Sequence, residues 1–291
     1  MPAQTRVRPA AVAGLFYPGD AVALRSTVED LLAATAGGSG GAATARGSAG
    51  ATAAAAPAAA PGVRPPKAVI APHAGYSYSG PIAASAFAAL AAAAPEVRRV
   101  VLLGPSHRVP LRGLGLPGVE SFATPLGLVP LDLDAAAAVE RLPQVAVRPD
   151  AHEAEHSLEV ELPFLQVLLG HFDLLPLVVG QADGEEVAEV IEQVWEGDDT
   201  VVVISSDLSH YLPAEAAERA DRETASQILA LAGPLTSRQA CGAVPINGLL
   251  VASRRHGLVP RQLDLRHSGD TSGDRSRVVG YGAWAFDAHA A

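Results

Sequence analysis

Short apolar runs recur along this chain, and three of them end in the same way. Ala68, Val69, Ile70 and Ala71 lead into Pro-His-Ala-Gly, so that His73 follows the run directly. Residues 100–103 (Val-Val-Leu-Leu) lead into Gly-Pro-Ser and His107, and residues 201–204 (Val-Val-Val-Ile) into Ser-Ser, Asp207, Leu-Ser and His210. A short β-branched run closed by Pro, Gly or Ser reads as a buried strand ending in a loop. Longer amphipathic stretches alternate with these runs. They predict helices over 21–33, 81–93, 133–142, 184–195 and 214–231, with 241–253 turning into a helix. Further strands are expected at 113–116, 126–130, 174–179, 263–266 and 278–286. Strands alternating with helices predict an α/β chain, three-layered, with a mixed central β-sheet and helices on both faces. Open sheets of this kind bind ligands beyond the carboxyl ends of their strands. Three runs that each deliver a histidine at that end therefore predict one shared site.

Residues 35–66 interrupt the pattern. They are almost wholly Ala, Gly, Ser, Thr and Pro, too poor in large side chains to offset the entropy of ordering. The segment before them is too short to fold alone, so the expectation is one domain over 1–291 carrying a flexible low-complexity insertion at 35–66.

Bulk properties exclude more than they assign. The formal net charge is −10, against non-specific nucleic-acid binding, which needs clustered Lys and Arg. No apolar run reaches the ~20 residues that span a bilayer, so no membrane association is expected. The first residues lack a continuous apolar stretch of the kind that directs secretion, so a cytoplasmic location is expected. The one cysteine, Cys241, rules out an intrachain disulfide and reads as a buried hydrophobe, a reactive thiol or a metal ligand.

His73, His107 and Cys241 offer imidazole and thiolate, donors that suit Zn, Fe or Cu. Each also reads as a capping or core residue. Asp207 and His210, three apart, predict a carboxylate that orients a histidine acting as general base; a helix cap beside a bystander is the other reading. In 151–169 (A-H-E-A-E-H-S-L-E-V-E-L-P-F-L-Q-V-L-L) the spacing predicts a helix with His156 and Glu159 on one face as a substrate-facing pair. Glu155 and Glu161 read as its solvated side, and Pro163 as a kink or the helix's true start. Asp270, in the polar loop 267–277, lines a pocket or merely builds a turn. Tyr76, Tyr78 and Tyr211 supply apolar walls with polar tips, as do Phe16 and Tyr17 in their own way.

The blocks G-L-F-Y-P, A-P-H-A-G-Y-S-Y-S-G, G-P-S-H, E-H-S-L-E-V-E-L-P-F-L, S-S-D-L-S-H-Y, C-G-A-V-P-I and S-G-D-T-S-G-D-R-S-R-V-V-G-Y resemble the Memo family, called AmmeMemoRadiSam system protein B in bacteria and archaea. That family is similar in fold to class III extradiol (LigB-type) dioxygenases. The resemblance implies a metal site of His73, His107 and Cys241, with His210 at the position of the dioxygenase base; Tyr76, Tyr78, His156, Glu159, Tyr211 and Asp270 are expected from their own chemistry as substrate-binding residues. Non-haem Fe(II) or Cu is the implied cofactor, and metal-dependent oxidation the implied chemistry. Cys241 stands where those dioxygenases carry a carboxylate, and Ala243-Val244 where a basic residue is expected, which implies a different pocket charge. A non-catalytic module holding a peptide or small molecule is the competing expectation, and zinc-dependent hydrolysis a third. The family name implies a functional link to radical-SAM and AMMECR1-type proteins.

Overall fold

The computed structural model describes residues 6–36, 66–91 and 94–288. Apart from its ends, the insertion expected at 35–66 lies outside the described residues. In chain order the elements begin with β1 (Val7–Arg8), α1 (Ala21–Ala36), β2 (Ala68–Ala71), α2 (Tyr76–Ala88) and β3 (Arg99–Pro105). There follow β4 (Leu114–Leu116), β5 (Ser121–Thr124), β6 (Gly127–Pro130), α3 (Leu133–Val139), β7 (Val145–Val147) and α4 (Pro149–Glu153). The second half comprises α5 (Leu162–Leu169), β8 (Asp173–Val179), α6 (Gly184–Gln193), β9 (Thr200–Ser205), β10 (His210–Leu212) and α7 (Ala214–Leu229). It closes with α8 (Ala243–His256), β11 (Val259–His267), α9 (Gly269–Ser272) and β12 (Val278–Asp287).

Among the described residues, nine strands form one sheet in the order β10-β12-β2-β9-β3-β8-β4-β7, with β11 paired to β12. Strands β2, β9, β3 and β8 run parallel at its centre. Strand β12 is antiparallel to β2, and β4 is antiparallel to β8, so the sheet is mixed as expected. Its central strands are buried on both faces, which is why they read as unbroken apolar runs. Period-two alternation sorts their side chains. Val69, Val100, Leu102, Val201 and Val203 pack in the core beneath α1, α2 and α5. Ile70, Val101, Leu103, Val202 and Ile204 pack on the other side with α6 and α8. Both faces are thus covered by helices.

Three expectations shift. Helix α2 starts at Tyr76, five residues early, because the amides of Tyr78 and Ser79 bond back to Gly75 O, and Pro81 sits inside the helix. The single helix expected over 151–169 does not form. α4 ends at Glu153, a short 3₁₀ turn spans Glu159–Glu161, and Pro163 lies in the first turn of α5, where its missing N–H costs nothing. Asp207 and His210 do not share a helical turn, because His210 opens strand β10.

Candidate metal centre

Parallel pairing of β2, β9 and β3 points the carboxyl ends of all three strands to one side of the sheet. His73 follows β2, His107 follows β3, and Asp207 follows β9. His156 joins them from the irregular turn between α4 and α5. One ring nitrogen each from His73, His107 and His156 lies within 4.8 Å of the others. The rings of His107 and His156 stack at 4.7 Å, and His73 meets both edge-on. Phe16 covers the outer side of His156 at 4.7 Å.

Each imidazole is held by its own partners. His73 is almost completely buried, and its backbone N–H donates to Asp207 Oδ1 at 2.9 Å. Its Nδ1 lies 2.7 Å from Ser205 Oγ, which also stands 2.6 Å from Ser157 O and 2.8 Å from Glu161 Oε1. A hydroxyl has one proton, and the Ser157 carbonyl can only accept it. His73 Nδ1 and the Glu161 carboxyl must then donate to Ser205. Glu161 meets that demand: it is fully buried, and burial holds its carboxyl well above the usual range, in the neutral form. The result leaves the His73 Nε2 lone pair aimed into the cluster. It lies 3.3 Å from Cys241 Sγ.

His107 is fixed by Glu155, which accepts from its backbone N–H at 2.6 Å and from its Nδ1 at 2.9 Å. Burial opposes a charge on Glu155, but the hydrogen bonds from His107 and from the Ser157 amide outweigh it and hold the carboxyl down at about 2. An ionised carboxylate behind Nδ1–H raises the basicity of the opposite nitrogen, the arrangement seen behind metal-ligating histidines. Burial pushes His156 down to about 4, so its ring is neutral; its buried Nδ1 lies 3.3 Å from Glu155 Oε1 and makes no well-aligned hydrogen bond among the described residues. Cys241 accepts the Asp207 amide at 3.3 Å. Burial, then the Asp207 charge, pushes its thiol up to about 12. The turn that carries Cys241 approaches the end of β9 so closely that a Cβ on Gly242 would meet Ser206 Cβ at 2.6 Å, a contact only glycine allows at position 242.

Three converging imidazoles with a thiol alongside fit a borderline d-block ion. Mg²⁺ and Ca²⁺ take oxygen ligands instead.

The other sequence-predicted residues fall in different places. Asp207 does not touch the His210 ring as expected. Its carboxylate faces the His73 backbone, and burial raises it to about 7. His210 Nδ1 donates to Leu208 O at 2.8 Å, which leaves Nε2 as the basic nitrogen, and burial lowers its proton affinity. Glu159 is turned away from the cluster. Fully buried, it pairs with Arg8 at 2.5 Å and accepts from Tyr17 Oη, Ala11 N and Val12 N, so its oxygens are spent on the N-terminal segment. Glu155 and Glu161 are buried and not solvated, since the helix that would have exposed them is absent. Tyr76 donates its hydroxyl to Val160 O inside the core. Asp270 bonds the His267 amide and Arg275, in a separate cluster with Glu218. Tyr78 and Tyr211 are exposed, and Arg277 lies over the Tyr211 ring. Ser205, Glu155 and Glu161 escaped the sequence reading as parts of the site. The signal was the alternation of carboxylates with apolar residues in E-H-S-L-E-V-E-L, which exposes no clean polar face.

A cavity of about 520 Å³ opens beside the cluster, with His107 and Cys241 in its lining and Val244 as an apolar wall. No helix among the described residues is long and apolar enough to cross a membrane.

Comparison with known proteins accords with this arrangement. The family model for Memo-like protein matches residues 8–285. The MEMO1 family protein of Methanothermobacter thermautotrophicus is 36% identical over 94% of this chain and 98% of its own length. That of Methanopyrus kandleri is 37% identical over 96% and 98%, and that of Aquifex aeolicus 35% identical over 95% and 97%. A chain matched across nearly all of its described strands and helices, by a family model and by relatives of like length, belongs to the Memo family.

Proposed function

We propose that the chain is a metal-dependent oxidoreductase whose iron or copper ion is held by His73, His107 and His156, with Cys241 as a neighbouring fourth donor. The observation that carries this reading is the convergence of three imidazole nitrogens within 4.8 Å at the carboxyl ends of the sheet. A bound ion would supply redox chemistry and open positions for O₂ or substrate. The chain's own residues set the rest. Ser205 and Glu155 orient His73 and His107 through their Nδ1 atoms. His210, neutral and with Nε2 free, takes a proton from substrate as general base. The resemblance to extradiol dioxygenases drawn from the sequence blocks is the reason for choosing oxidative chemistry in this proposal. The protein acts on an organic molecule admitted by the adjoining cavity.

Elemental analysis of anaerobically purified protein tests the reading. Near-stoichiometric iron or copper is expected, retained in part by Cys241→Ser and lost in His73→Ala. Full occupancy in His73→Ala would refute the ligand assignment. Absence of any transition metal, with no His210-dependent O₂ consumption, would favour a pocket that binds a peptide or small ligand without turnover.

A further inference from the structure

The cavity beside the cluster has an unusual charge for this molecule. The chain carries 31 acidic and 21 basic residues, yet no Asp or Glu lines the cavity, while Arg108 and Arg112 both do. Several arginines elsewhere hold a carboxylate, among them Arg99, Arg148, Arg255 and Arg275. Among the described residues neither Arg108 nor Arg112 has an ion-pair or side-chain hydrogen-bond partner. The charge of Arg108 reaches the cluster, where it is felt at the His156 ring. The rest of the lining is mixed: Val109, Leu111, Val179, Val244 and Pro245 form an apolar side, and Ser106, His107, Gln181 and Cys241 add polar groups. Several of the backbone amides along the lining are already engaged. Those of Ser106, Gly180 and Gln181 donate to backbone carbonyls, and that of His107 to Glu155. The guanidinium forks of Arg108 and Arg112 are the cationic anion-binding groups of the lining, and their planar geometry suits bidentate contact with a carboxylate. A cavity of this volume suits a small organic molecule.

We propose that this cavity binds an organic carboxylate with an apolar body. Arg108 and Arg112 hold its head, and Val109, Val179, Val244 and Pro245 contact its body beside His107. The inference names the substrate class of the oxidoreductase proposed above and rests on that reading for the chemistry, but not for the binding.

The test uses the full-length protein stripped of metal by a chelator, titrated calorimetrically with phenylacetate and with its neutral analogue phenylacetamide. The acid is expected to bind at least about tenfold more tightly than the amide, the worth of a charge-assisted hydrogen bond. Arg108→Gln and Arg112→Gln should each erase most of that preference, and Arg25→Gln, on α1, should leave it unchanged. Equal binding of acid and amide overturns the proposal, as does a preference that survives both pocket substitutions. Displacement of phenylacetate by inorganic phosphate at equal concentration overturns it in favour of a phosphate site. Metal content is measured on the same proteins. An acid preference in protein that takes up no metal supports the carboxylate site and removes the redox reading; metal-loaded protein that cannot tell acid from amide does the reverse.

Discussion

The His152 imidazole is 2% exposed, donates Nε2–H to Gly115 O at 2.8 Å and meets the edge of Phe122. Burial lowers its proton affinity from 6.5 to about 4. The unfolded chain therefore takes up this proton first. The stabilisation is complete above pH 6.5 and is lost as pH falls from 6.5 towards 4. His152→Gln cannot take up that proton, so it should lose roughly 2 kcal/mol less stability than the parent between pH 7 and pH 4.5. Urea midpoints at the two pH values measure the difference. Parallel losses in both proteins would mean that His152 is protonated in the fold. At this scale the sequence told least. It placed His73 and His107 at strand ends, but the proton on His73 is set by Ser205 and Glu161, which come from two other segments.

Among elements, the turn between α4 and α5 has two faces with opposite duties. His156 and Glu155 serve the histidine cluster, while Glu159 grips the segment 8–17. Its pair with Arg8 is sealed from water, and Arg8 also donates to the carbonyls of His152 and Glu155. Removing one member leaves a buried charge, at a cost of about 3–5 kcal/mol. Glu159→Ala should lower the unfolding free energy from urea titration by that amount, and Tyr17→Phe by about 1.5–3 kcal/mol, one neutral-to-charged bond. A loss under 1 kcal/mol in Glu159→Ala would show that the segment is held by other means. The central strands β2, β3, β8 and β9 were legible because each is an apolar run buried on both faces, whereas the short strands β1, β5, β7 and β10 carry no such run and went unread. This turn was not legible, because helical spacing and an irregular loop share the same spacing of His156 and Glu159. Only Arg8, some 151 positions away, decides where Glu159 points.

Across the whole molecule, the sheet order carries the site. Parallel neighbours β2, β9 and β3 make the three strand-end motifs adjacent, although 134 positions separate His73 from Asp207. The layering could be read from alternation alone. The adjacency required the pairing, which no local pattern states. One consequence concerns the piece before the low-complexity stretch. Besides the Glu159 grip, Phe16 O accepts the Tyr76 amide, and Leu24 and Val28 sit fully buried in the core. None of these holds depends on the peptide bonds between 36 and 66. Covalent continuity there is dispensable: the fragments 1–36 and 66–291, made together as separate chains, should reassemble. A tag on the smaller fragment would then retrieve the larger, and its failure to do so would show that the tether itself keeps the two together.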